Sequence, residues 1–230
     1  MSHIDPEQFA RPFLCDIARL IRFVIEFDAS LTGLGIIIFR VDIVTGEETP
    51  VGVASVSIEE LEFRGLSGNQ NLAEFVAATV GIRAVIALGG RDCGIAVRGD
   101  SVSALSWVRK ERFSGKLVGN AAMVYVLQAT AWGIRVEQVS HLPAEENEAA
   151  DYLSILNEDG RTLEKFRLLF PQYRDVPLVD PKPSGLVPLC DPQLDIGSEA
   201  AFTTFWRRAQ TVIGGKTMGG GAQQAREEMR

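Results

Sequence analysis

Between Ile21 and Leu88 the apolar residues change period, and that change narrows the folds open to the chain. Three runs of strand character come first: Ile21–Asp28, Gly35–Val41 and Val51–Ile58. In the third, Val51, Val53, Ser55 and Ser57 fall on one face, the alternation of a strand with unlike sides. Gly33 and Gly35 mark a tight bend after the first run, and Thr45–Gly46–Glu47 reads as a hairpin connection before the third. Asn69–Leu88 then repeats at helical spacing through Leu72, Phe75, Val76, Thr79, Val80, Val85 and Ile86. Asn69 or Asn71 can cap this helix, and Gly89–Gly90 stops it.

After this point strands and helices alternate. Gly94–Arg98 reads as a strand, Ser101–Arg112 and Asn120–Trp132 as helices, Gly133–Val139 as a fifth strand, His141–Glu146 as a loop and Asn147–Leu156 as a closing helix. A meander followed by such alternation predicts an α/β domain: a five-stranded mixed sheet, with an antiparallel 3-2-1 meander plus parallel strands, flanked by helices. Trp107 and Trp132 fall on apolar helix faces, where packing is the expected role.

The flanks differ. Residues 1–20 form an N-terminal lead-in broken by Pro6 and Pro12, and residues 21–156 form the domain. Prolines crowd 157–199, which reads as a linker or arm. Residues 200–230 read as one short amphipathic helix around Phe202, Phe205 and Trp206, followed by a Gly-rich, disordered tail. Cys15, Cys93 and Cys190 are odd in number and far apart, which argues against a disulfide framework or a zinc site and favours a reducing, intracellular setting. No apolar run reaches membrane-spanning length and no signal peptide is expected. The net charge of −7 argues against a general electrostatic grip on nucleic acid.

Four carboxylates occupy the positions that such a sheet gathers at one end. Asp28 ends the first strand, Glu74 lies one turn into the first helix, Asp100 follows the fourth strand, and Asp151 stands in the last helix. Strand ends and helix starts beside a central strand share one crevice. Acids crowded there repel one another unless cations sit between them, and hard divalent ions such as Mg²⁺ prefer oxygen ligands. Two such ions can activate water and stabilise the leaving oxygen of a phosphodiester.

The surrounding residues resemble a known family. Phe27–Asp28–Ala29–Ser30–Leu31–Thr32–Gly33–Leu34–Gly35, Asn71–Leu72–Ala73–Glu74, Arg98–Gly99–Asp100–Ser101 and the run His141–Ser154 resemble, in order, the motifs of ribonuclease H domains of the retroelement type, found in LTR retrotransposon, pararetroviral and DIRS-like reverse transcriptases. The last run carries the most specific match, with His141, Pro143, Asn147 and the Ala150–Asp151 pair in sequence. The resemblance spans about residues 21–156.

That resemblance implies a ribonuclease H-like fold and an endoribonuclease that cuts the RNA strand of an RNA–DNA hybrid, associated with a reverse transcriptase domain or chain. Asp28, Glu74, Asp100 and Asp151 would hold two Mg²⁺ ions, or Mn²⁺. His141, on a mobile loop, would assist proton transfer or product release. Asn71 and Gln70 would touch the hybrid's minor groove, where 2′-hydroxyls mark RNA. Ser30 and Ser101 could donate to phosphates, although such residues are also common turn formers.

One departure is informative. Many cellular ribonucleases H carry a basic insertion before the last strand, whereas Asn120–Trp132 contains no Lys or Arg. Grip on a hybrid would then come from an attached polymerase. Arg98, Arg109, Lys110, Arg112 and Lys116 are the nearest cations, equally readable as a solvated helix end. Two alternatives share the fold: a nuclease acting on DNA, and a non-catalytic docking module. Cleavage of different substrates separates the first, and failure to bind Mg²⁺ with the fold intact would mark the second.

Overall fold

The computed structural model describes residues 21–59, 69–110, 121–122, 125–126, 128–130 and 132–181. The expected lead-in, the segment Leu61–Gly68 and everything beyond Pro181, including the tail helix, Cys15 and Cys190, lie outside the described residues.

The elements in chain order are β1 (Ile21–Ala29), β2 (Gly33–Val41), β3 (Glu48–Ser57), α1 (Gln70–Ala87), β4 (Gly94–Gly99), α2 (Val102–Lys110), β5 (Arg135–His141), α3 (Glu148–Ser154) and α4 (Leu163–Leu169). Short 3₁₀ turns occupy Ala144–Glu146 and Pro171–Tyr173, and the described residues between 121 and 132 are helical. The strands form one sheet in the order β3-β2-β1-β4-β5. β1–β2 and β2–β3 are antiparallel, while β1–β4 and β4–β5 are parallel. This is the mixed five-stranded sheet flanked by helices that the periodicity predicts.

Each face of the sheet has its own core. On one side Phe23, Ile25 and Phe27 of β1 pack with Ile36 and Ile38 of β2 and with Leu72, Phe75, Val76 and Val80 of α1. Trp107 meets Phe75 edge-to-face at 5.9 Å, and Trp132 packs against this cluster, so both tryptophans are structural as expected. α1 is apolar almost all round, as a helix buried between the sheet and other helices must be. Asn69 caps it, its side chain accepting from the Leu72 N–H at 3.3 Å.

On the opposite side Ile37 and Val53 pack against Ala149, Ala150, Tyr152 and Leu153 of α3, and against Phe166, Tyr173 and Val176. The stretch after Asn157 therefore departs from the expected linker through residue 179. Thr162 caps α4, accepting from the Lys165 N–H at 3.1 Å. Phe166 is wholly buried, with its ring centroid 5.7 Å from that of Tyr173. Beyond it the Val53 N–H donates to the Pro177 carbonyl and the Val179 N–H to the Val53 carbonyl, so the chain pairs with the outer edge of β3. The prolines here terminate a helix and shape a strap over the sheet rather than loosen the chain.

Gly33 and Gly35 also serve a purpose other than the expected bend. A Cβ on Gly35 would lie 2.0 Å from the Ala150 carbonyl oxygen, and one on Gly33 would lie 2.6 Å from that of Ser154. Both glycines let α3 settle directly on the sheet, which fixes the depth of the last acid. Among the described residues, no helix is long and apolar enough to cross a membrane.

Candidate active site

The parallel pairing of β1 with β4 sets Glu26 opposite Arg98, which brings Asp28 and Asp100 side by side where the two strands end. α1 crosses this end with Glu74 in its second turn. Three of the four carboxylates singled out in the sequence meet here: Asp28, Glu74 and Asp100 each offer one oxygen, all within 4.8 Å of one another. Asp28 and Glu74 are buried and Asp100 is half-buried.

Such crowding costs free energy in the charged state. Burial, chiefly, raises Asp28 to about 7, with Asp100 and Asp151 adding repulsion and the Ser154 hydroxyl opposing it. Burial likewise raises Glu74 to about 8, helped by Asp28, against the lowering effect of its Gln70 hydrogen bond. Asp151 lies outside the group of three and is exposed, yet it too is raised, first by desolvation and then by Asp100, Glu148 and Glu158, while Arg161 opposes.

The donor set suits a hard divalent cation. It is all oxygen, two members are buried, and Glu74 Oε2 is a buried acceptor with no hydrogen-bond partner. An acceptor left bare at a cost of roughly 1–3 kcal/mol fits a site that a cation completes.

The other expected site residues fall into two groups. Asn71 is exposed at the start of α1, open to solvent. His141 is exposed too, but it is the last residue of β5 and not part of a loop. It pairs with Gly99, and Leu142 N–H donates to the Gly99 carbonyl, so parallel pairing carries the strand two residues past the expected Val139 and sets His141 next to Asp100. The remainder are committed to the scaffold. Gln70 donates to Glu74 Oε1 at 2.9 Å and to the Ala29 carbonyl, which makes it an orienter of the acid. Ser30 Oγ accepts from the Thr32 and Gly33 N–H groups and donates to the Ser154 carbonyl at 2.8 Å. Ser55 donates to the Leu153 carbonyl at 2.8 Å, so these two hydroxyls satisfy open carbonyls at the end of α3. Ser101 caps α2, accepting from the Ala104 N–H at 3.3 Å. Both serines are thus engaged as turn and cap formers.

Asn147 was visible in the closing motif without an assigned role. It is buried, and its Nδ2 donates to the Phe27 carbonyl at 3.1 Å, fastening the start of α3 to β1 one residue before Asp28. Arg98, a possible phosphate contact by sequence, is paired instead with Glu26 at 3.3 Å and with Glu48.

No protein-family profile matches the chain, and no curated protein matches it. Solved structures do. The chain is similar to RNase H1 from the halophilic archaeon Halobacterium salinarum NRC-1, at 20% identity over 60% of this chain and 99% of that one, with a TM-score of 0.43. It is similar to LC11-RNase H1 solved in complex with an RNA/DNA hybrid, at 17% identity over 57% and 92% of the two chains, with a TM-score of 0.40. The N-terminal RNase H domain of a Mycobacterium tuberculosis protein gives 17% identity over 58% and 90%, with a TM-score of 0.39.

Proposed function

We propose that this chain is a metal-dependent ribonuclease H, an endonuclease that hydrolyses the RNA strand of RNA–DNA hybrids and works beside a reverse transcriptase of the retroelement type. The observation that carries the reading is the three-carboxylate cluster with its bare, buried Glu74 oxygen. The sequence motifs around Asp28, Glu74, Asp100 and Asp151 support it.

Asp28, Glu74 and Asp100 would hold a first Mg²⁺ or Mn²⁺, and Asp151 would complete a second position. Bound divalent ions supply a nucleophilic water and charge stabilisation at the phosphodiester. The chain's own residues then divide the remaining work. Gln70 keeps Glu74 turned toward the cluster. Asn147 fastens α3 to β1 and the two glycines of β2 seat it on the sheet, and with it Asp151. His141, exposed at the end of β5 and paired with Gly99, would hand a proton to the departing oxygen or help product leave. Asn71, exposed at the start of α1, would read the minor groove through 2′-hydroxyls. Arg98 is spent on internal ion pairs with Glu26 and Glu48, so grip on the hybrid would come from a polymerase partner.

The test is cleavage of labelled hybrid, duplex RNA, duplex DNA and single strands, with and without Mg²⁺ or Mn²⁺. Cutting confined to the RNA strand of the hybrid, and dependent on the metal, is expected. Cutting of duplex DNA would transfer the site to another nuclease class. Metal binding without cleavage of any substrate would mark a docking module. His141→Ala is expected to slow turnover by about a hundredfold without abolishing it, the usual yield of a positioned proton donor.

A further inference from the structure

α3 is tied to the end of β1 at two points, and the ties straddle both acids. At the helix start Asn147 Nδ2 donates to the Phe27 carbonyl at 3.1 Å, and at its end Ser30 Oγ donates to the Ser154 carbonyl at 2.8 Å. Phe27 and Ser30 lie on either side of Asp28 in the chain, and Asn147 and Ser154 on either side of Asp151. The two spans agree. Extended chain from Phe27 to Ser30 covers about 10 Å, and helical steps of about 1.5 Å from Asn147 to Ser154 cover about the same. Helix and strand end therefore run alongside in one direction, and neither acid can slide past the other while both ties hold. The turn that carries Ser30 is itself locked. The Ser30 N–H donates to the Gly33 carbonyl at 2.9 Å, and its Oγ accepts from the Thr32 and Gly33 N–H groups at 3.1 and 3.0 Å. With both acceptor positions filled, the one hydroxyl proton is directed at Ser154, its shortest contact. The Thr32 hydroxyl bonds Glu158 at 3.2 Å and steadies the same junction.

Resting on the nuclease reading above, we propose that Ser30 is a positioning residue for the second metal position: with Asn147 it clamps α3 to β1 and sets the separation of Asp151 from Asp28. Asp28, Glu74 and Asp100 are carried by β1, α1 and the end of β4, and none of them by α3. Loss of the Ser30 tie therefore frees the helix end that bears Asp151 and leaves the three-carboxylate cluster in place. Its effect falls on the second ion and spares the first.

Calorimetric titration of the full chain with Mn²⁺ alone tests this, using wild type, Ser30→Ala, Ser30→Thr and Thr162→Ala, with thermal unfolding and hybrid cleavage measured alongside. Thr162→Ala removes a capping bond of α4 that belongs to neither tie, and so controls for a general loss of stability. Ser30→Ala is expected to weaken the second Mn²⁺ about tenfold, the usual cost of losing a group that orients a metal ligand, and to leave the first within about twofold. Its kcat is expected to fall with KM unchanged. Ser30→Thr keeps the hydroxyl and is expected to restore both. A second binding step unchanged in Ser30→Ala would overturn the proposal. So would the same weakening in Thr162→Ala, which marks general loosening, or a Ser30→Thr variant that behaves like Ser30→Ala. A wild-type chain that takes up one Mn²⁺ and still cuts the hybrid would remove the second position, and this inference alone with it. A wild-type chain that binds no Mn²⁺ would overturn the nuclease reading itself and this inference too.

Discussion

Asp100→Asn is expected to lower hybrid cleavage by at least about a thousandfold, while the unfolding temperature of the metal-free protein stays level or rises. The size of the loss follows from the several kcal/mol that metal coordination supplies to phosphodiester hydrolysis, at 1.36 kcal/mol per factor of ten. The stability result follows from geometry. Asp100 sits within 4.8 Å of two buried carboxylates and pushes both upward by repulsion. An amide of the same shape removes that repulsion and leaves the packing alone. Paired measurements of cleavage and thermal unfolding are therefore informative together. A variant that still cuts at the wild-type rate would take Asp100 out of the site, and one that loses activity by unfolding would make it structural.

The second large effect is expected in the pH dependence of stability. In the folded protein Asp28 and Glu74 are raised to about 7 and about 8, whereas an unfolded chain releases those protons near 4. Between these limits the folded state binds more protons than the unfolded one, so stability falls as pH rises from about 4 to about 8. The loss is on the order of a few kcal/mol, or roughly 10 °C in Tm for a chain of this size. Divalent cations reverse the sign locally, because a bound ion favours the ionised carboxylates. Thermal unfolding with EDTA is thus expected to show a Tm that declines from pH 5.5 to pH 8.5, with Mg²⁺ or Mn²⁺ raising Tm far more at the upper end. A metal effect equal at both ends would mean that the ions bind elsewhere.

Much of this was legible in the chain because the relevant physics is local. Strand alternation and helical spacing fixed which residues end β1 and β4 and which begin α1, and those ends carry Asp28, Asp100 and Glu74. Features that depend on contacts between distant segments were less visible. Gly33 and Gly35 look like turn residues until α3 is seen pressed against them. His141 looks like a loop residue because only the partner strand shows that β5 continues through it. The region after Asn157 reads as linker because its prolines outweigh a quieter pattern. Leu163, Phe166 and Phe170 recur at helical spacing behind a Thr162 cap, with Pro171 closing the helix. Gln70, Ser30 and Ser101 stand where the motifs place them, but their hydrogen bonds run inward.

The strap that ends at Val179 does more than fill space. By bonding to both backbone groups of Val53 it occupies part of the open flank of β3, where unpaired amides and carbonyls would otherwise invite another chain. A protein cut back to Leu156 would bare that flank together with the apolar surface of Ile37 and Val53. Its natural relief would be self-association through the exposed ladder, so solubility and the integrity of the fourth acid's helix depend on the same two dozen residues.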